Sequence, residues 1–409
     1  MIDTGAIRLK VLSLAMQGKL TKQLTENEDA KSLLKSIIAT NKVLEFNPIE
    51  SEEIPFEIPS NWIWCRLGNI AFTNGGYAFK SNEYTDEGYR VIRISDFCEK
   101  GLVNNKIVRY QYNKSLEQFL LAENDTLMCM TGGTVGKTYY VNSIAEPMLV
   151  NQRVADIRPL IEGKYLSFVV KSEYVQDIIH KSKNSTNDNI SMNLIVNLPF
   201  PLAPLAEQQR IVERVESIFS LLDEIDEAQA SFVKNQESLR NKLIETVLFA
   251  SNYGKITTEE FSKHMDLISG RDLSTSEYND KGNGIPYYTG ASNFDNGRLT
   301  VNRWTESPAV ISKQGDLLVT CKGTVGKMAY ATEAAHIARQ IMAIRPKDID
   351  VEYAYYFMEY YVATLKKKAK GLIPGIERKD LLAAPFPFRE EQEQKRIVDK
   401  LNELLPLCG

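Results

Sequence analysis

The chain has 409 residues, 43% of them hydrophobic and 25% charged. That length and balance suit two or three folded domains and exclude a small stapled module, a collagenous chain and a disordered one. The net charge of −4 is unevenly placed: residues 55–200 carry 15 basic and 15 acidic side chains, 255–388 carry 18 and 16, and 201–254 carry 5 and 9, so the acid collects between two near-neutral segments and a basic face must come from clustering in space. The five cysteines (Cys65, Cys98, Cys129, Cys321, Cys408) form no C-x-x-C pair, so neither a zinc site nor a disulfide framework is expected and a reducing cytoplasm is. No basic-then-apolar leader opens the sequence and no apolar run reaches the length of about 18 residues that a membrane helix needs. His180, His264 and His336 stand apart from other candidate ligands, which argues against metal hydrolysis and Ser-His catalysis.

In chain order, residues 1–54 read as an N-terminal helical segment with Ile7, Val11 and Leu14 on one face. Residues 55–200 form a first globular domain with strand-like runs at 90–94 and 125–130 between glycine-rich turns, and a helical pattern over 165–180. Residues 201–254 hold one long helix: from about 206 to 250 there is no Gly or Pro, and Ile211, Val215, Ile218, Leu222, Ile225, Phe232, Leu239 and Leu243 follow the alternating 4,3 spacing of a coiled-coil seam. Gln229 and Gln236 interrupt that seam and are expected to fix its register. At about 1.5 Å per residue such a helix spans roughly 65–70 Å. Residues 255–388 form a second globular domain with strand-like runs at 316–320 and 340–344 and a helical pattern over 351–368, and 389–409 form a C-terminal helix with Ile397, Leu401, Leu404 and Cys408 on a similar seam.

The second domain repeats the first. Pro199-Phe200-Pro201 recurs as Pro385-Phe386-Pro387, and Glu207, Gln208, Arg210, Ile211 and Val212 recur as Glu393, Gln394, Arg396, Ile397 and Val398, at an offset of 186. Upstream, Glu83-Tyr84-x-Asp86-x-Gly88 recurs as Glu277-Tyr278-x-Asp280-x-Gly282, Gly133-Thr-Val-Gly-Lys137 as Gly323-Thr-Val-Gly-Lys327, and Ile157-Arg158-Pro159 as Ile344-Arg345-Pro346. Four matches in one order, with offsets between 186 and 194, mark two copies of one domain. A shorter match joins Ile7-Arg8-x-Lys10-Val11-Leu12 to Leu239-Arg240-x-Lys242-Leu243-Ile244 at an offset of 232. The N-terminal helix is therefore expected to supply the distal half of the second long helix. The expected fold is α/β (α+β): two repeated globular domains separated by long antiparallel coiled-coil helices, pseudo-twofold and circularly permuted.

The lead Ile58-Pro59-Ser60-Asn61-Trp62-x-Trp64-x-x-Leu67-Gly68 and the closing segment Leu198-Pro-Phe-Pro-Leu-x-Pro204-Leu-x-Glu207-Gln208-x-Arg210-Ile211-Val212, with its second copy from Pro385 to Val398, resemble the specificity subunit of type I restriction-modification systems. Ala15-Met-Gln-Gly18-Lys19-Leu20 is similar to that family's helix-ending motif. One departure stands out: the second closing segment has Arg389-Glu390-Glu391 where the first has Ala203-Pro204-Leu205. The resemblance covers nearly the whole chain. It implies a non-catalytic subunit in which each globular domain reads one half of a bipartite double-stranded DNA target, while the helices space the half-sites and dock two methyltransferase subunits, to which restriction subunits add. S-adenosylmethionine, and ATP with Mg for restriction, would then belong to the partners. The competing readings are a recognition subunit of a methylation-only or other phage-defence complex, and a coiled-coil interaction scaffold without DNA readout.

Base readout needs Arg or Lys for guanine and Asn or Gln for adenine, with further Lys and Arg on phosphates. The candidates are Lys80 and Arg271 in the early Gly-rich loops, Gln152, Arg153, Arg339 and Gln340 in strand-edge segments, Lys181, Lys183, Asn184, Lys367, Lys368 and Lys370 in basic runs after helices, and Lys137 and Lys327 in the repeated Gly-x-x-Gly-Lys. For each, the plainer alternative is a solvated side chain or a turn. Gly133-Thr-Val-Gly-Lys137 is not a nucleotide-binding loop, because Thr131 stands where that loop needs glycine and Met328 follows Lys327 in the repeat. The Glu-Tyr-x-Asp-x-Gly element reads as a structural turn rather than a carboxylate site.

Overall fold

The computed structural model describes residues 1–24, 29–41, 48–182, 189–368 and 375–408. The chain divides into two compact units, Met1–Gln229 and Ala230–Gly409. The long helix predicted for 206–250 runs over Leu205–Leu248, and the division falls inside it.

Each unit contains the same four-stranded antiparallel sheet. In the first, the order is Ala71–Gly75, Val154–Pro159, Thr126–Cys129, Thr138–Tyr140; in the second it is Met265–Ser269, Ile341–Pro346, Leu317–Thr320, Met328–Tyr330. A short parallel pair flanks each sheet, Tyr89–Ile92 with Met148–Val150 and Ile285–Tyr288 with Ala335–Ile337. The repeated Pro-Phe-Pro closes each domain as a strand, pairing antiparallel with Ile63–Arg66 in one copy and Thr257–Glu260 in the other. Numbering the helices in chain order, the first unit carries α1 (Thr4–Met16), α2 (Ala30–Thr40), α3 (Gly163–Lys171), α4 (Glu173–Lys181), α5 (Met192–Val196) and the start of α6 (Leu205–Leu248). The second carries the end of α6, then α7 (Val351–Lys368), α8 (Arg378–Leu382) and α9 (Glu391–Leu404). The single helical pattern over 165–180 is two helices, because extended backbone at Ser172 ends α3 and its hydroxyl caps α4.

The repeated residues turn out to be the fastenings of each domain. Tyr165 donates its hydroxyl to the carbonyl of Pro201 at 2.6 Å, and Tyr353 does the same to Pro387 at 2.6 Å. Arg158 grips Asp125 with two hydrogen bonds of 2.9 and 2.8 Å, and Arg345 grips Asp316 at 2.9 and 2.7 Å, which accounts for the repeated Ile-Arg-Pro. Buried Gln208 donates to the Ala203 carbonyl at 2.7 Å and accepts from the N–H of Glu162 at 3.1 Å; Gln394 donates to the Arg389 carbonyl at 2.7 Å and accepts from the N–H of Asp350 at 2.7 Å. One amide thus ties the start of a long-helix segment, α6 or α9, to the start of the domain's own helix, α3 or α7.

The seam expected on α6 holds over its first half. Ile211, Val215 and Leu222 are buried and Ile218 and Ile225 are half-buried. Against this half lies α1, and the pairs Ile2 with Gln229, Thr4 with Asp226, and Arg8 with Asp223 and the Phe219 ring run in opposite directions along the two helices, so they are antiparallel. Gln229 acts as expected of a register-setting residue, since its amide accepts from the N–H of Ile2 at 2.5 Å and donates to its carbonyl at 3.1 Å. The face of α1 differs from the one expected: Ile7 is exposed, Leu14 only half-buried, and the inward residues are Thr4, Val11, Leu12, Ala15 and Met16. Polar Thr4 and Arg8 occupy the seam near the acidic middle of α6, so apolar spacing alone misplaced it by a fraction of a turn.

Further along α6 the seam reading fails. Phe232 and Leu239 are 59% and 56% exposed, and burial resumes at Ile244, Val247 and Leu248, which share a core with Ile397, Val398, Leu401 and Leu405 of the C-terminal segment. Leu243 is half-buried at its margin. Among the described residues of the second unit no helix covers the stretch that carries Phe232 and Leu239.

Replacing Gln208 with Leu leaves a buried carbonyl and a buried N–H unpaired, each at a cost of about 1–3 kcal/mol. The first unit should lose roughly 2–6 kcal/mol in urea unfolding, with the transition of the second unit unmoved.

Candidate nucleic-acid interface

The segment after the first strand of each sheet crosses another strand at a glycine. An added Cβ on Gly76 would lie 2.3 Å from the Val150 carbonyl oxygen, and one on Gly270 would lie 2.1 Å from that of Ala338. Only glycine permits this approach. The next residue is Tyr77 in one domain and Arg271 in the other, and each backbone N–H is pinned to the crossed strand: Tyr77 to Val150 at 2.8 Å, Arg271 to Ile337 at 2.9 Å. Tyr77 also accepts from the N–H of Gln152 at 2.9 Å, which brings the early loop and the Asn151-Gln152-Arg153 segment together.

The result in the first domain is a cavity of about 270 Å³ lined by Phe79, Arg93, Ile94, Ser95, Asn151, Gln152 and Arg153. Gln152 and Arg153 are exposed, and their side chains make no hydrogen bond or ion pair to another described residue, while the Arg153 backbone N–H donates to the Asn151 amide oxygen at 3.3 Å. Arg93 was not anticipated. It is held flat by two hydrogen bonds to Asp96, at 2.7 and 2.9 Å, and its pKa rises further because that carboxylate stabilises the charged form. Half-exposed Tyr77 packs edge-on against Phe79 and beside Phe119, giving the rim an aromatic wall that charge and amide counting could not reveal.

In the second domain Arg271 is exposed, and His336 supports its loop from below. This histidine is buried, its Nε2 lies 2.9 Å from the Arg271 carbonyl oxygen, and burial pushes its pKa below the ordinary value. Arg339 is exposed but its Nε donates to Asp272 at 2.7 Å, while Gln340 is exposed beside Gly290, where an added Cβ would come 2.4 Å from the Gln340 amide oxygen. Lys80 is exposed and lies 3.2 Å from Glu83. Lys181 ends α4 and Lys367 lies in the last turn of α7, both exposed. Lys183, Asn184 and Lys370, and the side chain of Lys368, lie outside the described residues.

The two lysines of the repeated turn point elsewhere. Lys137 donates to the Ile94 carbonyl at 2.5 Å and lies 4.8 Å from the centre of the Phe97 ring; Lys327 donates to the carbonyls of Phe294 and Ala291 at 3.0 and 3.2 Å. Both staple a neighbouring loop, and the glycines before them, Gly136 and Gly326, hold φ at 88° to turn one strand into the next. A strand, not a helix, follows each lysine, so neither turn is a nucleotide-binding loop. In the Glu-Tyr-x-Asp-x-Gly elements, Glu83 accepts from the Tyr110 hydroxyl and Glu277 from the Ser274 backbone and hydroxyl, as structural turns do. Among the described residues no group of His, Cys, Asp or Glu is arranged to hold a metal, and no helix is long and apolar enough to cross a membrane.

One domain is thus duplicated in the chain, fastened both times by the same buried glutamine and presenting different side chains at the same glycine crossing. The model of the type I restriction modification DNA specificity domain matches residues 59–235 and 261–406, and the chain belongs to that family. It is 30% identical over 242 residues to the EcoAI type I restriction enzyme specificity subunit of Escherichia coli, covering 54% of this chain and 41% of that relative. To the EcoBI specificity subunit of the same species it is 23% identical over 396 residues, covering 85% and 80%. Its fold is shared with a solved structure described under complex assembly and conformational transition of the type I restriction-modification system, with a TM-score of 0.66, 23% identity and coverage of 87% and 92%.

Asp156 differs between the copies, since Ala343 takes its place in the second. Burial, with the negative charge of Asp125 adding to it and Arg158 opposing, pushes its pKa up to about 8. A carboxyl raised in the folded state costs stability as pH climbs from the ordinary carboxylate value to that pKa. Asp156→Asn should therefore raise the thermal midpoint of the first unit at pH 8, with the gain shrinking to nothing by about pH 4, as calorimetry at both pH values would show.

Proposed function

We propose that this chain is the DNA sequence-recognition subunit of a type I restriction-modification complex and that each globular domain reads one half of a bipartite target. The observation that carries this reading is the shared crossing at Gly76 and Gly270, which holds exposed but differently equipped side chains at one place in two otherwise similar domains. In the first domain Gln152 and Arg153 supply the adenine- and guanine-type hydrogen bonds, and the rim of Tyr77 and Phe79 supplies apolar contact; in the second, Arg271 and Gln340 take the corresponding roles. Lys80, Lys181 and Lys367 serve as phosphate contacts. Lys137 and Lys327 act indirectly by fixing neighbouring loops.

Exposed Phe232, Val233 and Leu239 on α6 fit a docking face for methyltransferase subunits, because apolar side chains of this size gain most by being covered. Restriction subunits add to that assembly. S-adenosylmethionine, and ATP with Mg for restriction, are used by those partners and not by this chain, and the assembly works on chromosomal DNA in the cytoplasm.

Methylome sequencing of cells expressing the chain with its methyltransferase, against cells lacking the chain, should reveal one new bipartite motif; a stable complex with no motif would sink the recognition reading. Arg153→Ala should cost about 1–3 kcal/mol of binding and relax one position of the first half-site only, seen as degeneracy in the methylated motif. Phe232→Glu with Leu239→Glu should abolish co-purification of the methyltransferase while leaving the thermal midpoint of the free chain within about 1–2 °C.

A further inference from the structure

Arg389 is the bulkiest fully buried side chain among the described residues, and each of its four hydrogen bonds goes to a backbone carbonyl. Nη2 donates to Leu248 at 3.2 Å and Ala250 at 2.6 Å; Nη1 donates to Tyr253 at 2.8 Å and Gly254 at 3.2 Å. Leu248 is the last residue of α6, so the guanidinium sits where a helix leaves unpaired carbonyls and a partial negative charge. The same residue precedes α9, and its own carbonyl is held by Gln394. Arg389 therefore joins the exit from α6 to the segment that closes the second domain.

The other copy solves the same joint differently. At the offset of 232, Ala250 matches Gly18, and at 186, Arg389 matches Ala203. Gly18, with φ at 65°, lets α1 end on its own backbone, its N–H bonding Ala15 at 3.1 Å and the next bonding Leu14 at 2.9 Å. The first joint is then closed by buried Glu207, which accepts from Thr21 at 3.0 Å, Gln23 at 2.6 Å and the Trp62 indole at 3.1 Å. In the second copy alanine replaces the glycine, and an arginine reaching across from the closing segment satisfies the carbonyls. Gly254 completes this joint, because with φ at 95° it would place an added Cβ 1.6 Å from the carboxylate oxygen of Glu393 on α9.

We infer that Arg389 is the positioning residue that sets how the second globular domain leaves the end of α6, and through it which spacing between half-sites the chain accepts; this rests on the recognition function proposed above. A planar fork held by four fixed carbonyls cannot tilt without losing bonds, whereas an apolar side chain of similar length allows tilt. Spacing is demanding because one added base pair rotates a half-site by about 34° and moves it by about 3.4 Å.

The test uses the full chain with its methyltransferase subunits. After the wild-type motif is read, methylation rates are compared on duplexes with the native spacer and with one base pair added or removed, for wild type, Arg389→Met, and Arg389→Ala combined with Ala250→Gly. The wild type should prefer its native spacer by about tenfold or more, the order of one mismatched base pair. Arg389→Met should lower that preference to about threefold or less, with both half-site sequences unchanged. The double variant, which carries the first copy's glycine ending, should regain thermal stability yet stay relaxed in spacing. If Arg389→Met keeps the wild-type spacing preference, or if the double variant regains preference and stability together, the arginine is only a helix cap and the inference falls. A wild-type chain that directs no bipartite motif overturns the recognition function and the role of Arg389 with it.

Discussion

The amide of Gln208 bridges two backbone groups of the first unit, the carbonyl of Ala203 just before α6 and the N–H of Glu162 at the start of α3, and Gln394 makes the same bridge in the second unit. Both glutamines are fully buried, so neither bridge has water as an alternative partner and a shift of either helix leaves polar groups stranded. The tyrosine that reaches the Pro-Phe-Pro carbonyl and the Arg-Asp pair across the sheet add further directional bonds in both units. Each domain is therefore fixed to its own stretch of helix by hydrogen bonds, which are directional, in addition to apolar packing, which is not.

What the amino-acid sequence disclosed followed from the kind of force involved. Repetition exposed the duplicated domain, and the residues that repeat are the ones with directional jobs: Arg158 and Arg345, Gln208 and Gln394, Lys137 and Lys327. Their identity was legible, but their role was not, because a lysine after Gly-x-x-Gly reads as a phosphate ligand until Ile94, Phe294 and Ala291 are seen to offer it carbonyls. Periodicity located α6 to within a residue or two. It misjudged α1, where Thr4 and Arg8 face inward because Asp223 and Asp226 are there to receive them, and it could not tell that Phe232 and Leu239 lie uncovered. The cavity beside Gln152 and Arg153 was half visible: amide and guanidinium groups could be picked out by type, whereas Arg93 and Phe79 join them only through the strand crossing.

Charge tells a similar story at larger scale. The two globular domains are nearly neutral, yet their basic side chains divide into those already engaged, such as Arg158 with Asp125 and Arg93 with Asp96, and those left exposed, such as Arg153, Lys181 and Arg271. A counted total mixes the two kinds. The acidic excess of the middle stretch has a local use, since Asp223 and Asp226 anchor α1, and it keeps the helix surface unattractive to phosphate.

The crossing at Gly76 and Gly270 separates shape from message. Because the backbone there is pinned by hydrogen bonds to the crossed strand, the main chain rather than the side chain fixes the crossing, and one copy carries tyrosine there, packed against Phe79 and Phe119, while the other carries an exposed arginine. Substitution at that position changes what the surface displays without asking the domain to refold around it. Either surface can thus be rewritten one side chain at a time while the scaffold that holds it stays as it was.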